Sequence, residues 1–195
     1  MNRADLKELH YITPIENIPS VMRHGILSHR NVTQIQHSSF AKEGVQDLRA
    51  RKRVPQGRLL HEYANLYFCA RNPALYLAQK RHDNLCLLLI SPDILDNDDV
   101  VVTDGNAASH MTRFLPPSGL ERIDADIVFA EYWTDHNPII QAAKKRIQCA
   151  EVLVPDKVDP GFIIGIRVQR EEDMRIIKSL GFPKDVILSP DSFFP

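Results

Sequence analysis

Six consecutive apolar residues, Leu85 to Ile90 (Leu-Cys-Leu-Leu-Leu-Ile), constrain this chain more than any other stretch. A half-exposed strand alternates apolar with polar residues, so an unbroken run of this length reads as a central strand with both faces covered. It is the longest apolar run in the chain and is far too short to cross a bilayer. The rest of the sequence supplies the covering layers. Leu9 to Ile15 has the β-branched and aromatic content of a strand stopped by Pro14. Leu66 to Cys69, Val100 to Thr103, Ile127 to Ala130, Val152 to Val154, Phe162 to Val168 and Val186 to Leu188 read as further strands.

Helix signals fall between them. Asn17 is placed to cap a helix over Ile18 to His24, with Pro19 in its first turn and Gly25 as its left-handed terminator. Ile26-Leu27-Ser28 then resumes an extended path. A short helix fits Val45 to Val54, and Pro55-Gln56-Gly57 turns the chain. Asn72-Pro73 starts a helix running to about Arg81, and a short helix ends at Phe114. Pro116 to Gly119 reads as a surface loop. Asn137-Pro138 opens a helix ending in Lys144, Lys145 and Arg146, and Glu171 to Leu180 forms the last, closed by Gly181. There is no strict βαβ rhythm, no GxGxxG, no P-loop and no repeat. The expected class is α+β with largely antiparallel pairing, in one domain over residues 1–195.

Composition narrows the function classes. A net charge of −1 excludes a globally basic nucleic-acid binder while leaving room for a local basic groove. Three isolated cysteines, Cys69, Cys86 and Cys149, fit a reducing compartment and core packing better than disulfides or zinc, so no metal is expected. The N-terminus lacks the apolar core of a secretory signal, which points to a soluble cytoplasmic protein with no membrane segment.

Two stretches carry chemistry. Glu151 stands at the mouth of the strand Val152 to Val154, where a carboxylate loses hydration and is either paired or used. Taken alone, pairing with a nearby cation is the simpler reading. Arg49, Arg51, Lys52 and Arg53 surround their helix instead of painting one face, as a solvated surface or as a phosphate-rich partner requires. Tyr63, Tyr67 and Tyr76 suit either the core or stacking on a base.

In order along the chain stand Tyr11-Ile-Thr13, Asn17 and Gly25-Ile-Leu-Ser28, then Arg49 to Arg53. After them come His61-Glu-Tyr-Ala-Asn-Leu-Tyr67-Phe, Arg71-Asn-Pro73 and Ala150-Glu-Val-Leu-Val154. Over nearly its whole length the sequence resembles the DarT family. These are toxins that use NAD to attach ADP-ribose to bases of single-stranded DNA, and a macrodomain antitoxin (DarG-type) removes the mark. The resemblance implies an ADP-ribosyltransferase fold: two small, mostly antiparallel sheets with flanking helices around an NAD cleft. It implies Glu151 and Arg49 as the catalytic pair, with Arg51 as the alternative arginine. It assigns NAD, a co-substrate, to the backbone around His10 and Tyr11, to Thr13 and Asn17, and to Tyr67. Arg51, Arg53 and Asn106 would meet DNA, together with residues 30–45.

The chain departs from the family pattern in three places. Tyr11 stands where relatives more often have His, and Ala74 where a larger Met is common. Cys149 occupies the position where many protein-directed ADP-ribosyltransferases keep a second Glu or Gln, and Gln148 is one residue too early for that place. Thymine-directed relatives tend to carry Asp-Arg-His-Ala near Asp104-Gly105-Asn106-Ala107, so the version here looks more like the guanine-modifying branch. Asn106 either reads a base edge or shapes the turn. The runner-up functions are ADP-ribose transfer to RNA or protein on the same fold, and a non-catalytic nucleotide-binding module.

Overall fold

A computed structural model describes residues 1–33, 43–80 and 83–195, and gives residues 43–45 as backbone only. The elements in chain order begin with β1 (Leu9–Pro14), α1 (Ile18–His24), β2 (Ile26–Leu27), α2 (His29–Val32) and α3 (Glu43–Arg51). They continue with β3 (Tyr63–Tyr67), α4 (Pro73–Gln79), β4 (Leu85–Ile90), β5 (Val101–Thr103), β6 (Phe114–Leu115), α5 (Ala125–Val128) and α6 (Pro138–Gln148). The chain closes with β7 (Glu151–Pro155), β8 (Lys157–Val158), β9 (Ile163–Val168), α7 (Glu171–Ser179) and β10 (Asp185–Leu188).

Eight strands form one sheet in the order β10-β9-β4-β1-β3-β7-β5-β6, and β2 pairs with β8 in a second, two-stranded sheet. All pairings are antiparallel except β9 with β10. The large sheet is nearly divided at its centre. β1 pairs along its whole length with β4, and β3 along its whole length with β7, yet β1 and β3 share only the register pair His10↔Tyr67. Two half-sheets therefore meet at one point, and a cleft opens between them. This is how the expected pair of small sheets is realised.

The run Leu85 to Ile90 becomes β4, between β9 and β1 and buried along its length. Cys86, Leu88 and Ile90 join the main core with Leu9, Ile166, Val168 and Ile177, while Leu85 and Leu87 join Ile12, Leu75, Ala78 and Phe193 on the other face. Each fully buried leucine of such a strand contributes about 1.5–3 kcal/mol. Covering both faces is what the unbroken apolar run demanded.

Several local expectations are corrected. Ile127 to Ala130 is not a strand: Asp124 accepts the Ile127 N–H at 3.1 Å and starts the short helix α5. No helix ends at Phe114. Residues 104–113 form the loop of a hairpin whose arms pair Val102 with Leu115 and Thr103 with Phe114. Pro117–Arg122 is a 3-10 helix with Gly119 buried, not a surface loop. The strand expected over Leu66 to Cys69 lies earlier, as β3. Asn17 does not cap α1, because the 3-10 turn Ile15–Asn17 already puts it in helical geometry, and its Nδ2 donates instead to Thr13 Oγ1 at 3.1 Å. Asn72 does cap α4, accepting from Ala74 and Leu75 N–H. Arg81, the expected end of that helix, and residues 34–42 of the expected DNA segment lie outside the described residues.

Gly25 ends α1 with φ +82° and ψ −174°, a region essentially reserved for glycine. A Cβ there would fall 2.2 Å from the Val158 carbonyl oxygen, in the strand that pairs with β2. Gly25→Ala is expected to destabilise the protein by at least ~3 kcal/mol, read as a lower denaturation midpoint with an unchanged slope.

Candidate active site

A cleft of about 590 Å³ opens where the half-sheets part, within the size range of small-molecule sites. Tyr11 and Thr13 of β1 line one wall and Tyr63, Asn65 and Tyr67 of β3 the other, with Ala74 and Leu77 of α4 at one end. Gln46 and Arg49 of α3, Asn106 and Ser109 of the hairpin loop, and Lys145 and Arg146 of α6 complete the rim around Glu151.

Glu151 is the first residue of β7 and is 1% exposed. Its carboxylate accepts two bonds from Arg49 Nη1, at 3.0 and 3.2 Å, and one from the Ala107 backbone N–H at 2.9 Å. Arg49, from the last turn of α3, is itself 7% exposed. A buried carboxylate with a buried guanidinium and a backbone donor is held in one orientation, as a group that works on a substrate requires.

The backbone of Glu151 is fixed as firmly. Its N–H donates to Thr103 Oγ1 at 2.9 Å, and that fully buried hydroxyl donates to Gly105 O at 2.7 Å. Thr103 thus ties the start of β7 to the hairpin loop that carries Ala107. Nothing in the sequence marks it, because a threonine ending a short strand is unremarked until the loop folds back. Thr103→Val keeps the shape and removes both bonds. It is expected to cost about 1–3 kcal/mol in stability and to lower turnover ~10–100-fold, measured by thermal melting and steady-state kinetics.

Tyr67 is the register partner of Glu151. Burial first, and the Glu151 charge second, push its phenol well above the ordinary tyrosine range, so it stays protonated. The half-buried Tyr11 phenol is pushed up to about 12, chiefly by burial. Burial and then Glu151 push the Cys149 thiol up to about 12, leaving a neutral thiol on the cleft wall where related enzymes keep an acid or amide. Gln148 is fully buried and donates to Ala130 O at 2.7 Å, so it does not substitute for that group.

Not every expected site residue faces the cleft. Tyr11, Thr13, Asn17, Tyr67, Arg49, Asn106 and Glu151 line it. The His10 side chain lies in a separate recess, bonded through Nε2 to Glu8 at 3.1 Å. Arg51 and Arg53 are exposed on the outer surface, where Arg53 donates to Gly57 O at 2.9 Å. Asn106 Oδ1 accepts the Ala108 N–H at 2.9 Å, so it shapes the turn while lining the cleft.

Lys52 and His61, both within stretches singled out in the sequence, stand close enough to feel the Arg49 charge, and His61 lines the cleft. Lys52 donates to Ser109 O and lies over the Phe114 ring, and its pKa is lowered mainly by burial. His61 stacks on His29 with centroids 4.1 Å apart, and burial, His29 and Arg49 lower its pKa. Among the described residues no cluster of His, Cys, Asp and Glu is placed to hold a metal ion, and no helix is long and apolar enough to cross a membrane.

Comparison with known proteins gives this geometry a family. Residues 10–194 match the family described as ssDNA thymidine ADP-ribosyltransferase, DarT. The chain belongs to the DarT family. A DNA ADP-ribosyl transferase-DNA ADP-ribosyl glycohydrolase fusion protein of Thermosipho africanus is 35% identical over 96% of this chain, which spans 49% of the fusion. A DNA ADP-ribosyl transferase of Thermus sp. strain 2.9 is 31% identical over 90% of this chain and 88% of its own length. Among solved DarT structures, the Thermosipho africanus DarTG complex with ADP-ribose superposes with a TM-score of 0.84. It is 33% identical and covers 96% of this chain and 51% of that one. Thermus sp. 2.9 DarT in complex with ADP-ribosylated ssDNA gives 0.82 at 25% identity, over 97% of both chains. The same enzyme in complex with NAD+ gives 0.77 at 23% identity, with 97% of this chain and 98% of that chain covered, a likeness of fold.

Proposed function

We propose that this chain transfers ADP-ribose from NAD to a base of single-stranded DNA, with guanine favoured over thymine. We place it in the cytoplasm as the toxin of a toxin–antitoxin or phage-defence pair, with a macrodomain antitoxin as partner. The observation that carries the reading is the buried Glu151–Arg49 pair at the floor of the cleft, in a chain of the DarT family. Support for the DNA substrate comes from the Thermus relative, solved with ADP-ribosylated ssDNA. Support for the partner comes from the Thermosipho relative, in which transferase and glycohydrolase are fused.

In this reading Tyr11, Thr13, Asn17, Tyr67 and the backbone near His10 hold the nicotinamide ribose end of NAD. The bond between that ribose and nicotinamide breaks, and its electron pair leaves with nicotinamide. Positive charge develops on the sugar, and the carboxylate of Glu151 is already in place to stabilise it. The acceptor nitrogen forms the new bond to the sugar and gives up its proton to Glu151 as general base. Arg49 holds the carboxylate and supplies positive charge to the NAD phosphates and to the base as it loses its proton. Arg51 and Arg53, exposed on the outer surface, steer the DNA backbone, and Asn106 meets the base.

The guanine preference rests on the segment Asp104-Gly105-Asn106-Ala107, which differs from the Asp-Arg-His-Ala typical of thymine-directed relatives. The protein would be incubated with NAD and oligonucleotides each lacking one base, alongside RNA and protein acceptors. A mass gain of one ADP-ribose on guanine-containing DNA, absent in Glu151→Ala, is the expected result. Labelled RNA or protein with untouched DNA would overturn it.

A further inference from the structure

We propose that Lys52 is a positioning residue for Glu151, tying the end of α3, which carries Arg49, to the hairpin loop that carries Ala107. The proposal deepens the transferase reading above and rests on the role given there to Glu151. Two arms hold that carboxylate. Arg49 Nη1 reaches it from α3 at 3.0 and 3.2 Å, and the Ala107 N–H reaches Oε1 from the loop at 2.9 Å. The arms come from elements distant in sequence. Both can be in place together only if those elements are also fixed to each other.

Lys52 stands where that connection is made. It directly follows α3, its N–H donates to Arg49 O at 3.3 Å, and its own carbonyl accepts the Leu60 N–H at 2.9 Å. Its Nζ donates to the backbone oxygen of Ser109, a short step along the loop from Ala107, and lies 5.2 Å from the centroid of the Phe114 ring. Phe114 pairs with Thr103 in the arms of the hairpin, so the ammonium touches the loop and one of the strands that carry it.

The loop is braced internally and passes this contact on. Asn106 Oδ1 accepts the Ala108 N–H at 2.9 Å, Thr112 Oγ1 donates to Asn106 O at 2.7 Å, and the Thr112 N–H donates to Ser109 O at 3.2 Å. Thr103 Oγ1 fastens Gly105 O, and the Asn106 N–H is fastened to Arg146 O at 2.8 Å. Lys52 supplies the fastening on the Arg49 side.

The cations of the run Arg49 to Arg53 now separate by direction. Arg51 and Arg53 are exposed, Arg49 is buried and Lys52 is half-buried. A surface lysine lays its stem on the protein and keeps its ammonium in water. Lys52 instead spends that ammonium on a backbone carbonyl and a ring face, with no carboxylate in ion-pair contact among the described residues. Burial lowers its pKa, and of the nearby charges Glu151 favours the ammonium while Arg49 opposes it. The tie therefore also brings a second positive charge near Glu151.

The test reads the tie and the chemistry separately in Lys52→Met, Lys52→Gln and Lys52→Arg. Hydrogen exchange at the Ala107 amide needs no substrate. It should be about 10–100-fold faster in the Met and Gln variants, the loss of one hydrogen bond to a charged group, and near wild type in the Arg variant. In the transfer assay kcat should fall about 10–100-fold in the Met and Gln variants, with KM for NAD little changed, as a slightly displaced carboxylate requires. Lys52→Arg should recover most of kcat, because a guanidinium also serves a carbonyl and a ring face. In a Glu151→Gln background Lys52→Met should add little further loss, since it acts through that carboxylate. Two variants that remove the charge keep the result from resting on the folding of either. Unchanged Ala107 exchange in both would overturn the tie, whatever the substrate. Faster exchange with wild-type kcat, a rise in KM alone, or a full further loss on top of Glu151→Gln would overturn the positioning role. Faster exchange in a protein whose wild type transfers ADP-ribose to no acceptor would support the tie and overturn the transferase reading instead.

Discussion

Glu151→Gln is expected to leave a folded protein that still binds NAD and transfers ADP-ribose at ~10²–10⁴-fold lower turnover, the range for loss of a general base. The reason is local. Glutamine keeps the oxygen that accepts from Ala107 N–H at 2.9 Å and from Arg49 at 3.2 Å, and replaces only the oxygen 3.0 Å from Arg49 Nη1. The amide nitrogen then faces the Arg49 donor and the buried guanidinium loses its counter-charge, so the stability cost approaches the ~3–5 kcal/mol of a broken buried pair. Chemistry loses more, because an amide neither takes the acceptor's proton nor answers the positive charge forming on the sugar. Glu151→Ala is the harsher variant. It leaves Arg49 buried without its partner, and breaking such a pair costs about 3–5 kcal/mol. Turnover, NAD affinity and melting temperature measured on both variants separate the chemical role from the structural one. A glutamine variant with wild-type turnover would remove Glu151 from the reaction.

The parts of the fold that the sequence revealed are those governed by local chemistry. The unbroken apolar run had to become a doubly covered strand, and Asn72-Pro73 and Asn137-Pro138 had to start helices, since each carries its own cap. Errors fell where distant pairing decides. Phe114–Leu115 is a strand only because Val102 and Thr103 lie opposite it, and α5 depends on one aspartate cap outweighing β-branched content. The site divides the same way. Glu151 and Arg49 were visible through the family's blocks, although they stand far apart in sequence. Thr103 and the Ala107 N–H were not. One acts through a single hydroxyl and the other through a backbone atom, so neither leaves a pattern of residue types to read.

Arg49→Ala is expected to abolish transfer by ~10²–10³-fold or more, whereas Arg51→Ala should mainly weaken DNA binding. Arg49 faces Glu151 from inside the cleft, and Arg51 stands exposed two residues later on α3. Removing Arg49 leaves Glu151 buried with the Ala107 N–H as its remaining hydrogen-bond donor, so the variant loses a positive charge and the anchor of the carboxylate together. Arg49→Lys should recover much of the stability and little of the activity, because a point charge does not reproduce the guanidinium's geometry. Arg51→Ala, by contrast, should raise KM for oligonucleotides and reduce the salt dependence of binding by about one phosphate contact, with kcat nearly unchanged. The double variant Arg49→Met with Glu151→Gln provides a separate check on the pair. Neither buried charge remains, so it should be more stable than Arg49→Ala while staying inactive. Full activity in Arg49→Ala, with loss of kcat in Arg51→Ala, would transfer the catalytic role two residues along the helix.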